Sequence, residues 1–73
     1  MVRSLYEIVP TTGGRWSVRT AASKTDSFHY TRQAAEDRGA GLARANLPSK
    51  VIIRRLDGTV EEERTYGGRL AIR

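Results

Sequence analysis

The chain contains no cysteine, only two prolines and a single histidine, and its two lysines stand against eleven arginines. Without cysteine there can be no disulfide staples and no thiolate zinc sites, the devices that stabilise many folds of this size. The histidine, His29, has no signalled second ligand for a metal and no activated Ser, Cys or Asp partner for nucleophilic chemistry. It reads as a structural or surface residue. No apolar run approaches the roughly 20 residues of a membrane span, Val51 to Ile53 being typical of the longest stretches. The first residues carry no charged-then-apolar export signal, so a cytoplasmic protein without membrane contact is expected.

What remains is short and basic. Seventy-three residues form one domain, and at this size only about 60% of the unfolded surface is buried, so good packing or self-association must supply stability. There is no room for a separate substrate domain. No enzyme, cofactor or small-molecule substrate is indicated. The net charge of +5 concentrates a chain near phosphate backbones and other anions. A GC-rich coding sequence would also write Arg, Ala and Gly in quantity, and both accounts predict the same counts.

Arg3 to Pro10 alternates, with Tyr6, Ile8 and Pro10 on one side and Leu5, Glu7 and Val9 on the other. After Thr11-Thr12-Gly13-Gly14 the alternation resumes in Arg15 to Ala22, with Trp16, Val18 and Thr20 on one face. A three-residue loop with Gly14 in the left-handed conformation pairs Ile8 with Val18 and Tyr6 with Thr20, which gathers the apolar side chains on one side. Ser23 to Ser27 is polar, and Phe28 to Tyr30 is a short extended piece leading back to the core.

Thr31 has the character of a helix N-cap, and Glu36 and Asp37 lie toward the positive end of the helix dipole. From Arg32 to about Asn46, the residues Ala35, Gly39, Leu42, Ala43 and Asn46 recur at helical spacing. Their small size lets the helix axis approach the sheet, with Gly39 placed over Trp16, while Gly41 points outward. Asn46 and Pro48 close the helix.

Lys50 to Leu56 is the first strand of a second hairpin, with Val51 and Ile53 on one face and Ile52, Arg54 and Leu56 on the other. Asp57-Gly58 supplies its turn, and Thr59 to Tyr66 is the return strand. Glu61 to Glu63 are expected to pair across strands with Arg54 and Arg55. The fold class predicted is α+β, a ββαββ domain over residues 1–67 in which two antiparallel hairpins form a sheet and one central helix packs on one face. Residues 68–73 are expected to be a frayed tail.

A resemblance supports this reading. Tyr6-Glu7-Ile8-Val9-Pro10, a Gly-Gly turn, Trp16-Ser17-Val18, a threonine-capped alanine-rich helix with Leu42-Ala43, Asp57-Gly58 and Thr65-Tyr66-Gly67 together resemble the bacterial domain-of-unknown-function family 2188. The resemblance spans residues 6 to 67 and implies a small ββαββ unit of bacterial and phage proteins that brings no catalytic residues. Glu36 stands where the family usually has an aliphatic residue, and Gly68-Arg69 replaces the Asp-Pro that often follows its Tyr-Gly.

The candidate surface is the sheet face opposite the helix. It is expected to carry Leu5, Val9, Ile52 and Leu56 among Arg15, Arg19 and Arg54. Arginine forks suit phosphates, so these three and Arg55, also on a strand, are candidate nucleic-acid or other anion contacts. The apolar four are the candidate interface for homodimerisation or docking to a protein partner. As solvated strand residues paired with glutamates, the same arginines need no ligand. Trp16 and Tyr6 are read as core, with Tyr30 and Tyr66 left as candidate stacking residues. Gly13-Gly14 lies in a hairpin without the Lys-Ser/Thr pair and following helix of a phosphate loop, so it is a turn.

Overall fold

A computed structural model describes residues 4–20 and 24–67. The elements, in chain order, are β1 Ser4–Thr11, β2 Arg15–Thr20, β3 Thr25–His29, α1 Arg32–Ala45, β4 Ser49–Arg54 and β5 Val60–Tyr66. They build a small α+β domain in which one helix lies on a five-stranded mixed sheet of order β3-β2-β1-β4-β5. The expected ββαββ order is therefore matched only roughly, because β3 adds a strand before the helix.

The first hairpin has the register that its apolar pattern demands. Ile8 lies opposite Val18 and Tyr6 opposite Thr20, and the loop Thr12-Gly13-Gly14 turns with φ of 90° at Gly13 and 76° at Gly14, values that favour glycine. β1 and β4 run parallel at the centre of the sheet, with Tyr6 beside Val51 and Ile8 beside Ile53. The two hairpins thus share one layer, joined through β3 and the helix. On the covered face Tyr6, Ile8, Val18, Val51 and Ile53 are buried together with Ala35 and Ala43 of the helix.

Thr31 caps α1 as expected, its hydroxyl accepting from the Ala34 amide at 3.1 Å. The helix contributes only small residues to the buried layer, namely Ala35, Gly39, Ala40 and Ala43. Gly39 lies over Ile8 and Val51 rather than over Trp16. A Cβ built there would stand 3.1 Å from Ile8 Cδ1, whereas one on Gly41 would meet nothing within 4 Å. At the helix end, buried Ser49 donates its hydroxyl to the Ala43 carbonyl at 2.7 Å and ties α1 to β4.

Both edge strands depart from the simple alternation. β3 pairs with β2 but shifts register between Val18 and Arg19, leaving Asp26 without a ladder partner. β5 pairs with β4 but shifts between Ile53 and Arg54, which leaves Glu61 in the same position. Bulges of this kind increase twist and discourage further strand pairing at an edge. The expected frayed tail, 68–73, lies outside the described residues.

Candidate functional site

The side chains of the uncovered sheet face follow from the strand registers. Glu7 stands between Arg19 on β2 and Ile52 on β4, and Val9 stands opposite Ser17, which pairs in turn with Phe28. Leu5 neighbours Lys50, and Lys50 neighbours Thr65. Leu5, Val9 and Ile52 occupy this face as expected, but all three are half-buried. The long charged chains around them do part of the covering.

Arg54 bonds through Nη2 to Glu7 Oε2 at 2.9 Å and through Nη1 to the Gly58 carbonyl at 2.8 Å. Lys50 Nζ lies 3.3 Å from Glu63. These pairings correct the expectation that Arg54 and Arg55 would meet Glu61 to Glu63. The physical reason is the β5 bulge, which turns Glu61 and Glu62 toward the helix side, where both lie close to Arg32.

The helix side is electrostatically self-contained. Arg32 pairs with Glu36, Glu61 and Glu62, and Arg64 pairs with Glu36 and Glu62. The hydrogen bond to Glu62, followed by that to Glu36, raises the Arg64 guanidinium above its ordinary value. The bond from Arg64 lowers the Glu62 carboxyl. Arg38 holds Asp26 at 2.8 Å, and this bond lowers the Asp26 carboxyl.

The remaining nominated residues gather at one end of the sheet. Arg15 is exposed at the start of β2, with its guanidinium 5.3 Å from the centre of the Tyr30 ring. Arg55 and Leu56 lie in the β4/β5 turn and not on the strand face, so Leu56 is not part of the sheet surface expected to hold it. Its side chain is 82% exposed. Arg55 donates to Thr59 Oγ1 at 3.4 Å and to the Val60 carbonyl at 3.3 Å. Between this turn and the β1/β2 turn runs a groove of about 640 Å³ whose lining includes Pro10, Arg15, Trp16, Arg55, Leu56 and Glu61.

That groove is the feature the sequence reading lacked. A signal for part of it was present, since the hairpin register places Pro10 opposite Trp16 beside the Gly-Gly turn. The other wall depends on β4 lying next to β1, which no local pattern specifies. Trp16 is half-buried against the core, and Arg32 lies 5.9 Å from its ring centre. Tyr6 is buried, Tyr66 is partly buried with Arg44 near its ring, and Tyr30 is exposed. His29 shares a 2.8 Å hydrogen bond with Ser27 on β3. Among the described residues no group of three His, Cys, Asp or Glu side chains is placed to hold a metal, and no helix is long and apolar enough to cross a membrane.

The described residues define a small α+β domain with one helix and, opposite it, a charged sheet face. The family model described as "Uncharacterized protein conserved in bacteria (DUF2188)" matches residues 6–66, and the chain belongs to that family. No curated protein and no solved structure gives a significant match.

Proposed function

We propose that this domain is a non-catalytic binding module that meets nucleic acid with the sheet face opposite the helix. The observation carrying this reading is the unequal distribution of charge. Arg15, Arg19, Lys50 and Arg54 stand on that side of β2 and β4, and Glu7 and Glu63 are the carboxylates the same registers place among them. On the helix side, by contrast, Arg32, Arg38 and Arg64 are engaged by Asp26, Glu36, Glu61 and Glu62. A polyanion is attracted to the first surface and gains little from the second.

The half-buried state of Leu5, Val9 and Ile52 also favours a polar partner over homodimerisation or protein docking through an apolar patch. A mobility shift against single- and double-stranded nucleic acid at low and raised salt tests the reading. Retention that weakens steeply with salt, and that Arg15→Glu with Arg19→Glu abolishes while the circular dichroism spectrum is kept, is the expected result. Unchanged retention by the double variant would overturn the sheet-face site. Self-association in sedimentation that is indifferent to salt would favour the dimer instead.

A further inference from the structure

The groove between the β1/β2 and β4/β5 turns has a composition that the sheet face lacks. Pro10, Trp16 and Leu56 give it apolar walls, and two arginines, Arg15 and Arg55, flank them. Neither arginine forms an ion pair among the described residues. Arg15 is steadied by the Tyr30 ring and Arg55 by a hydroxyl and a carbonyl, contacts that orient a guanidinium without neutralising it. Glu61 also lines the groove, but its carboxylate is bound by Arg32 at 2.8 Å. Asp57, in the same turn, acts on Arg55 electrostatically, but its carboxylate accepts its hydrogen bonds from Thr59; in the lining itself two arginines stand against one glutamate.

From this juxtaposition we infer that the groove is a site for one nucleotide unit of a single strand, with the base against Trp16 and Leu56 and the phosphate between Arg15 and Arg55. The inference rests on the nucleic-acid reading above and adds which form of nucleic acid is preferred. Base faces are stacked away inside a duplex and are presented only by a single strand, so a site combining an indole with guanidinium forks selects the latter. The leucine explains itself in the same way. A side chain 82% exposed at a turn apex has little packing of its own, and a base laid beside Trp16 would cover it. Arg15 is common to the groove and the sheet face, so a strand leaving the groove passes directly toward Arg19 on β2.

Trp16 is the sole tryptophan, so all indole emission comes from a residue of the groove lining. Titration of the full chain with a short oligothymidylate should quench that emission saturably, and a blunt duplex of equal length should not. Arg55→Glu should weaken the quenching about tenfold or more, since it reverses a charge in the groove while leaving the sheet face untouched. Leu56→Ala, which removes no charge, should weaken it severalfold. Oligonucleotide retained in a mobility shift with Trp16 emission unmoved, or with Arg55→Glu indistinguishable from the parent, would overturn the groove site and leave the sheet-face reading standing. No retention of any nucleic acid at low salt would remove both. Quenching by an acidic, phenylalanine-containing peptide but not by oligothymidylate would overturn the nucleotide assignment in favour of a protein ligand.

Discussion

Asp26 and Glu61 are structural counterparts at opposite edges of the sheet. Each is the extra residue of a bulge in an edge strand, and each turns to an arginine of the same helix, Asp26 to Arg38 at 2.8 Å and Glu61 to Arg32 at 2.8 Å. The helix is thereby tied to both outer strands, although its buried residues are only alanine and glycine. Ion pairs at exposed positions contribute little one by one. Here they follow from the bulges, which bring each carboxylate to the helix side of its edge strand.

Acid should loosen these ties. The hydrogen bond from Arg38 holds the Asp26 carboxyl below its ordinary 3.8, and that from Arg64 holds Glu62 below 4.5. A carboxyl whose folded value is depressed binds its proton more readily in the unfolded chain, so its stabilising contribution is present above the ordinary value and disappears as pH falls through the folded one. Melting temperatures followed by circular dichroism should hold steady from neutrality to about pH 5 and fall below about pH 4. Asp26→Asn should melt below the parent at neutral pH and converge on it in acid. A gap that persists undiminished at low pH would mean the bridge is not its source.

The parts of this fold legible in the sequence are those set by neighbours along the chain. Ile8 opposite Val18, Thr31 as the cap and the Asp57-Gly58 turn follow from two-residue alternation, side-chain capping and turn chemistry. β3 was met only at Phe28 and His29, the start of the expected extended piece, and Thr25 to Ser27 escaped because an edge strand needs no apolar alternation. Its one large apolar residue, Phe28, is 59% exposed, and Asp26 interrupts the period. The partner of Arg54 escaped for a different reason. Glu7 is 47 residues away and reaches Arg54 only because β4 lies parallel to β1. The groove has the same origin, since the first hairpin supplies Trp16 and the second Leu56.

Glu36 is a nearly buried carboxylate held by two arginines. Its side chain is 11% exposed and lies between Arg32 and Arg64, the latter at 3.0 Å. Removing it leaves two guanidinium groups crowded with less compensation, so Glu36→Ala should cost about 1.5 to 3 kcal/mol in urea denaturation. Glu36→Leu restores apolar volume and leaves Glu61 and Glu62 to the arginines, so it should recover part of that loss. Equal stability of the alanine variant and the parent would show that the carboxylate contributes nothing net.

The two helix glycines should respond oppositely to alanine. Gly41 faces open space, and Gly41→Ala should stabilise by up to about 1 kcal/mol through helix propensity alone. At Gly39 the new methyl would press on fully buried Ile8. The propensity gain is offset by overpacking, which costs about 1 to 3 kcal/mol in a well-filled core. Thermal melts of the two variants should therefore move apart, and a stabilised Gly39→Ala would show that Ile8 yields freely.

Ser49 is fully buried and sits where β4 begins, directly after the helix. Its hydroxyl gives the Ala43 carbonyl a second donor at 2.7 Å, beside the Asn46 backbone N–H at 3.2 Å that caps the helix. Ser49→Ala should cost about 1 kcal/mol, and Ser49→Val more, because valine loses the same hydrogen bond, leaving Asn46 as the carbonyl's one donor, and its added methyl groups crowd the junction. Amide exchange in the last turn of α1 should quicken in both. A valine variant as stable as the parent would place little weight on this bond.

The proposed sheet-face contact carries its own ionic signature. Each phosphate neutralised on duplex DNA contributes about −0.9 to the slope of log affinity against log salt, and about −0.7 on a single strand. Lys50 and Arg54 must exchange Glu63 and Glu7 for phosphate, whereas Arg15 has no carboxylate to give up among the described residues. A slope of about −2 to −4 is therefore expected, and Arg15→Ala should make it shallower by nearly one full contact. Glu7→Gln removes the competitor of Arg54 and should strengthen binding at every salt concentration. Weaker binding by Glu7→Gln would mean that Arg54 serves the sheet and not a ligand, since a guanidinium released toward phosphate cannot lower affinity for it.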